Sequence, residues 1–322
     1  MKSYAANSPG ESDPQIATHS GQQPITLTSA LLALLTSALW GGTPVAIRYT
    51  TDTLPPVMIA AIRFGLAAVF MLFWCRWEGA SLSVRREQWR PIVILSVMLF
   101  VQIALFNMGV AQSNSSHGSL FINTFLFWVA GIEHFITREI RITGRMLAGL
   151  LLAGAASLAV IAVDSRPAAA TAAALRDVPT LRGDLLLIAS GFILAVKIVY
   201  TKLAVRSVAP GKLIFWHDVL GTAMFLAYSL LLETTQAGDF TPPAIWGLLY
   251  QGLAVAGFCF ALQAWQLKRH SASQISVFSA STPLFGIALG VAFRGDALSP
   301  WLLAAALGVA WGIWLVSVAP AR

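Results

Sequence analysis

Long apolar runs, rather than alternation, set the pattern of this chain. Ten stretches are predominantly apolar, roughly 27–47, 56–74, 91–111, 118–136, 146–163, 183–204, 212–232, 244–267, 274–293 and 300–318. A helix rising 1.5 Å per residue needs about 20 such residues to cross a bilayer. The same runs exclude strands, because they are too long and lack the two-residue alternation of a membrane barrel. Pro, Gly or charge bounds most of them. The pattern therefore predicts an all-α integral membrane protein with ten transmembrane helices. Residues 1–26 are polar, with no basic start, short apolar stretch or cleavage site, and read as a disordered cytoplasmic tail rather than a secretory signal. A connection rich in Ala and Pro, 164–182, divides the spans five and five, into 27–163 and 183–318.

Composition agrees with this reading. The 322 residues are 57% hydrophobic and 11% charged, against about 25% charged in soluble domains. A net charge of +7 would suit nucleic acid, but the basic residues sit in short loops between apolar runs, as the positive-inside rule expects of a membrane protein. No nucleic-acid partner is expected; the partners are the lipid bilayer and a small-molecule solute. With the N-terminus inside, the cytoplasmic segments hold Lys2, Arg76, Arg85, Arg86, Arg90, Arg138, Arg141, Arg145, Lys202, Arg206, Lys212, Lys268, Arg269 and Arg322. The other face holds only Arg48, Arg166, Arg176, Arg182 and Arg294. That bias predicts both termini in the cytoplasm. Cys75 and Cys259 are the only cysteines, so neither a disulfide framework nor a zinc pattern is available, and no metal or cofactor is expected.

The two halves align weakly. RYTTDTLPPVMIAAIRF from Arg48 lies over KLAVRSVAPGKLIFWHD from Lys202, with Pro56 over Pro210 and Arg63 over His217. SSHGSLFINTFLFWVAG from Ser115 lies over ASQISVFSASTPLFGIA from Ala272, shifted by one, which sets Glu139 over Asp296. An odd number of spans per half turns the second copy upside down. Inverted repeats of this kind are a recurring construction of secondary transporters, with the solute site near the midplane.

The motifs WGGTPVAIR from Trp40, LPPVMIAAIRF from Leu54, REIRITGRMLAG from Arg138, KRHSASQISVFSASTPLFG from Lys268 and GDALSPWLLAAALGVAWGIWL from Gly295 resemble the EamA-type branch of the drug/metabolite transporter superfamily. The resemblance covers about 30–318. It implies ten spans in two inverted five-helix repeats and transport of small metabolites across the cytoplasmic membrane, often outward. Two positions depart from the family's pattern. Phe125 or Leu126 stands where Pro is usual, and Asp296 where Glu is usual.

Ionisable groups within a membrane are functional candidates by default. Lys197 precedes Lys202 by five residues, roughly 7 Å from the cytoplasmic boundary at 1.5 Å per residue. Its stem can snorkel that far, or its ammonium can meet solute. Glu133, His217 and Asp218 fall at similar depth, roughly 7–9 Å inside the same face. Glu133 is a candidate ion-pair partner for Lys197, and His217 with Asp218 a candidate proton carrier, since an imidazole titrates near neutral pH; fixed helix-to-helix bonding is the competing reading. Arg63 counts as a different level, roughly 10 Å from the outer face, where it binds helix ends or meets an anion.

Uncharged polar residues supply the remaining cavity candidates: Gln102, Asn107 and Asn123 in the first half, Gln263 and Thr282 in the second, with Trp40 and Trp265 as flat walls. Each can equally hydrogen-bond between helices. Gly41, Gly42 and Pro44, and Pro283, interrupt spans and are hinge candidates or static kinks. Small residues over 147–160 and 302–312 allow close helix contact, within the chain or in a homodimer. No HExxH or GxSxG pattern supports an intramembrane enzyme, and no filter motif or charged ring a channel. The sequence thus predicts a gradient- or exchange-driven carrier of amino-acid-like zwitterions or organic anions in a bacterial inner membrane. An exporter of cationic drugs is the nearest alternative.

Overall fold

The computed structural model describes residues 26–77, 79–136, 138, 142–164, 178–205, 207–234, 240–267, 278–279 and 281–317. Their regular structure is helical, with no strand among the described residues. We number the helices α1 Leu27–Gly41, α2 Thr43–Thr51, α3 Pro56–Trp77, α4 Arg86–Ala111, α5 Ser115–Ile122, α6 Phe125–Phe135 and α7 Gly144–Asp164. There follow α8 Leu181–Ala204, α9 Pro210–Leu232, α10 Pro242–Leu249, α11 Tyr250–Cys259, α12 Phe260–Leu267, α13 Thr282–Arg294 and α14 Pro300–Ser317. The α11 segment has the wider π geometry and runs without a gap between α10 and α12.

Local chemistry sets the ends. Thr26, Asn114 and Thr180 cap α1, α5 and α8, each side chain accepting from the backbone N–H three residues on. A capping oxygen satisfies one of the orphan donors in a helix's first turn. Pro stands in the first turn of α2, α9, α10 and α13, where its missing N–H costs nothing. Gly295 closes α13 at φ 70°, a left-handed conformation that favours glycine.

Six helical stretches among the described residues are long and apolar enough to cross a membrane: Leu27–Thr51, Pro56–Trp77, Arg86–Ala111, Leu181–Thr201, Pro210–Leu232 and Pro242–Gln263. Gly144–Ala156, Thr282–Arg294 and Pro300–Gly312 are shorter apolar helices. The apolar run at 118–136 is not one helix. It breaks at Asn123–Thr124, where the Thr124 hydroxyl takes the Phe121 carbonyl (2.7 Å) and the chain turns between α5 and α6. Residues 268–277 lie outside the described residues, as do residues 1–25 and most of the connection at 164–182.

Packing joins distant parts of the chain. The closest partners are α7 with α14, α3 with α9, and α4 with α8. Small residues permit the first of these. A methyl at Gly149 would stand 2.7 Å from the Gly312 carbonyl, and one at Gly308 would meet Ala156 at 3.1 Å. The small-residue faces therefore meet each other within one chain. Between α3, α4 and α9, Phe64 and Phe225 stack at 5.6 Å, and Phe100 adds a tilted ring at 5.3 Å from Phe225. In lipid such packing, rather than water exclusion, holds helices together.

Candidate functional site

Polar groups divide into a rim and a centre. At the rim, carboxylates, two of them buried, are spent on helix ends. Glu233 accepts from the Val57 and Met58 N–H groups at the start of α3 (2.9 Å each) and from Ser229 Oγ (2.7 Å). Asp296 accepts from Ser116 N (2.8 Å) and Oγ (2.7 Å) at the start of α5. Asp184, fully buried, accepts from Ser113 Oγ (2.8 Å) and lies 3.0 Å from His117 Nδ1. Negative charge at a helix N-terminus meets both orphan donors and the helix dipole. Arg48 donates to the Ala111 carbonyl (3.1 Å) at the end of α4, the complementary arrangement.

The hinge candidates form a tight crossing. Gly41 ends α1 and Gly42 leads into α2, whose second residue is Pro44. Proline cannot donate to the preceding turn, and hydroxyls from other helices serve the carbonyls there. Tyr250 donates to Leu39 O (2.6 Å) and Ser119 to Gly41 O (3.2 Å). A methyl at Gly41 would stand 2.9 Å from Gly286 N and Thr282 O, and one at Gly42 would stand 2.5 Å from the Tyr250 hydroxyl. Thr282 and Pro283 open α13 at this crossing, both buried.

The centre is different. Arg63 on α3, Lys197 on α8 and Asp218 on α9 are exposed by only 4%, 7% and 1%. Asp218 lies within electrostatic reach of both cations, and Arg63 also of Tyr250 and Cys259. Lys197 does not snorkel: its ammonium turns inward and donates to Gln102 Oε1 (3.3 Å), whose amide in turn donates to Ser190 Oγ (3.0 Å). Arg63 Nε and Nη1 and both Asp218 oxygens have no hydrogen-bond partner among the described residues. His217 Nδ1 is 2.9 Å from Asp218 Oδ1, yet it bonds the Ile214 carbonyl (3.2 Å). Neighbouring residues on a helix do not face each other, so the imidazole reaches the carboxylate without aligning to it.

The structure brings some sequence candidates together and separates others. Lys197, His217, Asp218 and Gln102 converge, and Arg63 joins them although residue counting set it at another depth. Asn107 donates to Pro56 O (2.8 Å) and Asn123 to Ser119 O (2.6 Å), both fully enclosed in helix contacts. Trp40 is half-buried against Phe260 at 6.1 Å. Gln263 is half-buried on α12. Glu133 and Trp265 lie on α6 and α12, but their side chains fall outside the described residues. The pairing of His117 with Asp184 went unread; the helix-start pattern Asn114-Ser-Ser-His marks the histidine but not its acid. Among the described residues no group of three or more His, Cys, Asp or Glu side chains could hold a metal ion.

A helical membrane protein with charge buried midway along its spans is of the class that handles polar solutes in the bilayer. The model of the EamA-like transporter family matches residues 27–162 and 181–318, and the chain belongs to that family, within the drug/metabolite transporter superfamily. It is a multi-pass membrane transporter. It is 22% identical over 291 residues to the uncharacterized transporter YoaV of Bacillus subtilis, covering 90% of this chain and 97% of that one. A probable amino-acid metabolite efflux pump of Salmonella typhimurium is 24% identical over 300 residues, covering 88% and 93%. A solved crystal structure at 16% identity superposes with a TM-score of 0.67 over 91% of this chain and 99% of its own, which establishes likeness of fold.

Proposed function

We propose that this chain is a secondary transporter that exports amino-acid-like zwitterions or organic anions across a bacterial inner membrane by alternating access. The observation that carries the reading is the buried central layer, where charges on α3, α8 and α9 meet and Arg63 and Asp218 keep polar atoms without partners. Such a layer is costly unless something completes it, and a solute is what a carrier brings there. Export of amino-acid-like solutes is further supported by the likeness to the Salmonella efflux pump.

The inverted-repeat arrangement has its own support. Taking α1–α2, α3, α4, α5–α6 and α7 as one set of spans and α8, α9, α10–α12, α13 and α14 as the second, the contacts repeat on exchange of the sets. The α4 and α8 pair answers to α10 with α2, α4 and α9 to α11 with α3, and α5 and α6 on α8 to α13 on α1 and α2. In the register that sets Ser115 over Ala272, Phe121 falls on Phe278 and Thr124 on Ser281. Both hydroxyls make the same bond, to the carbonyl three residues back, at 2.7 and 2.6 Å. Two family matches of similar length agree with two such units of five spans. With both termini cytoplasmic, the rim carboxylates lie at the outer face, where their bonds close the bundle and must part for release.

Purified protein in liposomes, assayed for flux of labelled amino acids with and without a pH gradient, tests the function. Flux above protein-free liposomes is the expected result. Chemical conversion of an added solute without flux would replace the carrier with an intramembrane enzyme. Membrane-impermeant labelling that found the two termini on opposite faces would remove the inverted repeat.

A further inference from the structure

We infer that Arg63 and Asp218 form a two-point site between α3 and α9 for the carboxylate and amino groups of an α-amino acid. The inference rests on the transporter reading and names what its central layer holds. A guanidinium carries five N–H donors and no acceptor, and a carboxylate only accepts. The open Arg63 nitrogens therefore call for an acceptor, and the open Asp218 oxygens for a donor. Within the chain these two charges lie in electrostatic reach of one another without a hydrogen bond joining them. An α-amino acid supplies both missing partners, separated by a single carbon.

Charge decides against a simple cation, and hydrogen bonding against a simple acid. Arg63, Lys197 and Asp218 together carry two positive charges and one negative, all at least nine-tenths buried. A cation lacking a carboxylate would leave Arg63 open and add a third positive charge. A carboxylic acid lacking an amine would satisfy Arg63 and balance the net charge, but would leave Asp218 with only the misaligned His217 imidazole beside it. The zwitterion leaves neither fault. Thr222 follows Asp218 by one turn, and its hydroxyl too lacks a partner. It faces α3 at Gly65, where a methyl would meet Thr222 Cγ2 at 3.6 Å, an ordinary contact distance. Glycine there leaves space for about one methyl between α3 and Thr222.

The test uses the full chain in liposomes, with each labelled α-amino acid run beside its decarboxylated amine and its deaminated acid. Wild type should carry at least one amino acid about 100-fold faster than its matched amine or acid, because buried polar groups reject an analogue that leaves them unpaired. Arg63→Gln should abolish that flux, with partial recovery in Arg63→Lys. Asp218→Asn should lose the amino acid and gain the deaminated acid, an inversion of preference that misfolding cannot produce. Equal flux of amine and amino acid in wild type overturns the site while the transporter stands. So does unchanged amino-acid flux through an Arg63→Gln protein that elutes and melts as wild type. Absence of flux for every probe overturns both readings.

Discussion

Asp184 and Asp218 are both fully enclosed aspartates on helices that cross the bundle, and each has a histidine Nδ1 about 3 Å away, yet their remaining surroundings differ. Asp184 sits at the start of α8 with Ser113 and His117 directed at it. Asp218 sits eight residues into α9, with the cations Arg63 and Lys197 in electrostatic reach and the His217 imidazole close by but not aligned to it. Buried polar groups are ordinarily paired, and an exception calls for an explanation. The rim carboxylates are structural because their partners are protein. At the centre Arg63 and Asp218 keep polar atoms without hydrogen bonds, and a site that must take up and release a solute cannot be satisfied by its own chain.

The largest effect should come from the rim. Asp184→Ala removes the acceptor from a buried hydroxyl and a buried imidazole and cuts the tie between α8 and the start of α5. Breaking a buried pair from one side costs about 3–5 kcal/mol. A fall of that size in the stability of detergent-solubilised protein, measured by reversible denaturation, is the expected outcome. A loss below about 1 kcal/mol would put the rim on the same footing as the centre.

Removing the opposed pair Arg63 and Asp218 from the centre, with Lys197 left on Gln102, should act in the other direction. Replacing a buried ion pair by well-packed apolar residues is often neutral or stabilising by about 1–4 kcal/mol, and here even the hydrogen bonds that would be lost are absent. Arg63→Met combined with Asp218→Leu should therefore melt at or above the wild-type temperature while carrying no solute. A double variant that unfolds would show the central charges to be structural.

Much of the fold was legible, because apolar run length is set by bilayer thickness and needs no tertiary information. The kink at Gly41–Pro44 was legible for a similar reason: proline announces itself. The break at Asn123–Thr124 was not, since no proline or glycine marks it. Arg63 was misplaced in depth by arithmetic. It was counted roughly 10 Å from one face and Asp218 roughly 9 Å from the other, which leaves about 10 Å of a 30 Å core between them. A long side chain lying along the helix spans much of that gap, and residue counting cannot see it. His117 and Asp184 are 67 residues apart in the chain, and no local pattern predicts which acid an imidazole will find.

The finest separation of rim from centre lies within α9 itself. Ser229 and Thr222 are two turns apart on that helix, and each carries one hydroxyl. Ser229 Oγ donates to Glu233 at 2.7 Å, a bond to a charged acceptor that contributes about 1.5–3 kcal/mol. Thr222 Oγ1 is buried and has no partner, so its desolvation is unrequited. Ser229→Ala should lower stability by about 1.5 kcal/mol, while Thr222→Val, which keeps the shape and removes only the polarity, should be neutral or raise it by up to about 1 kcal/mol. Opposite signs from two hydroxyl deletions on one helix would place the boundary between scaffold and site within seven residues. Equal losses would mean that Thr222 holds the helices together, and that the opening beside Gly65 is packing rather than room for a solute.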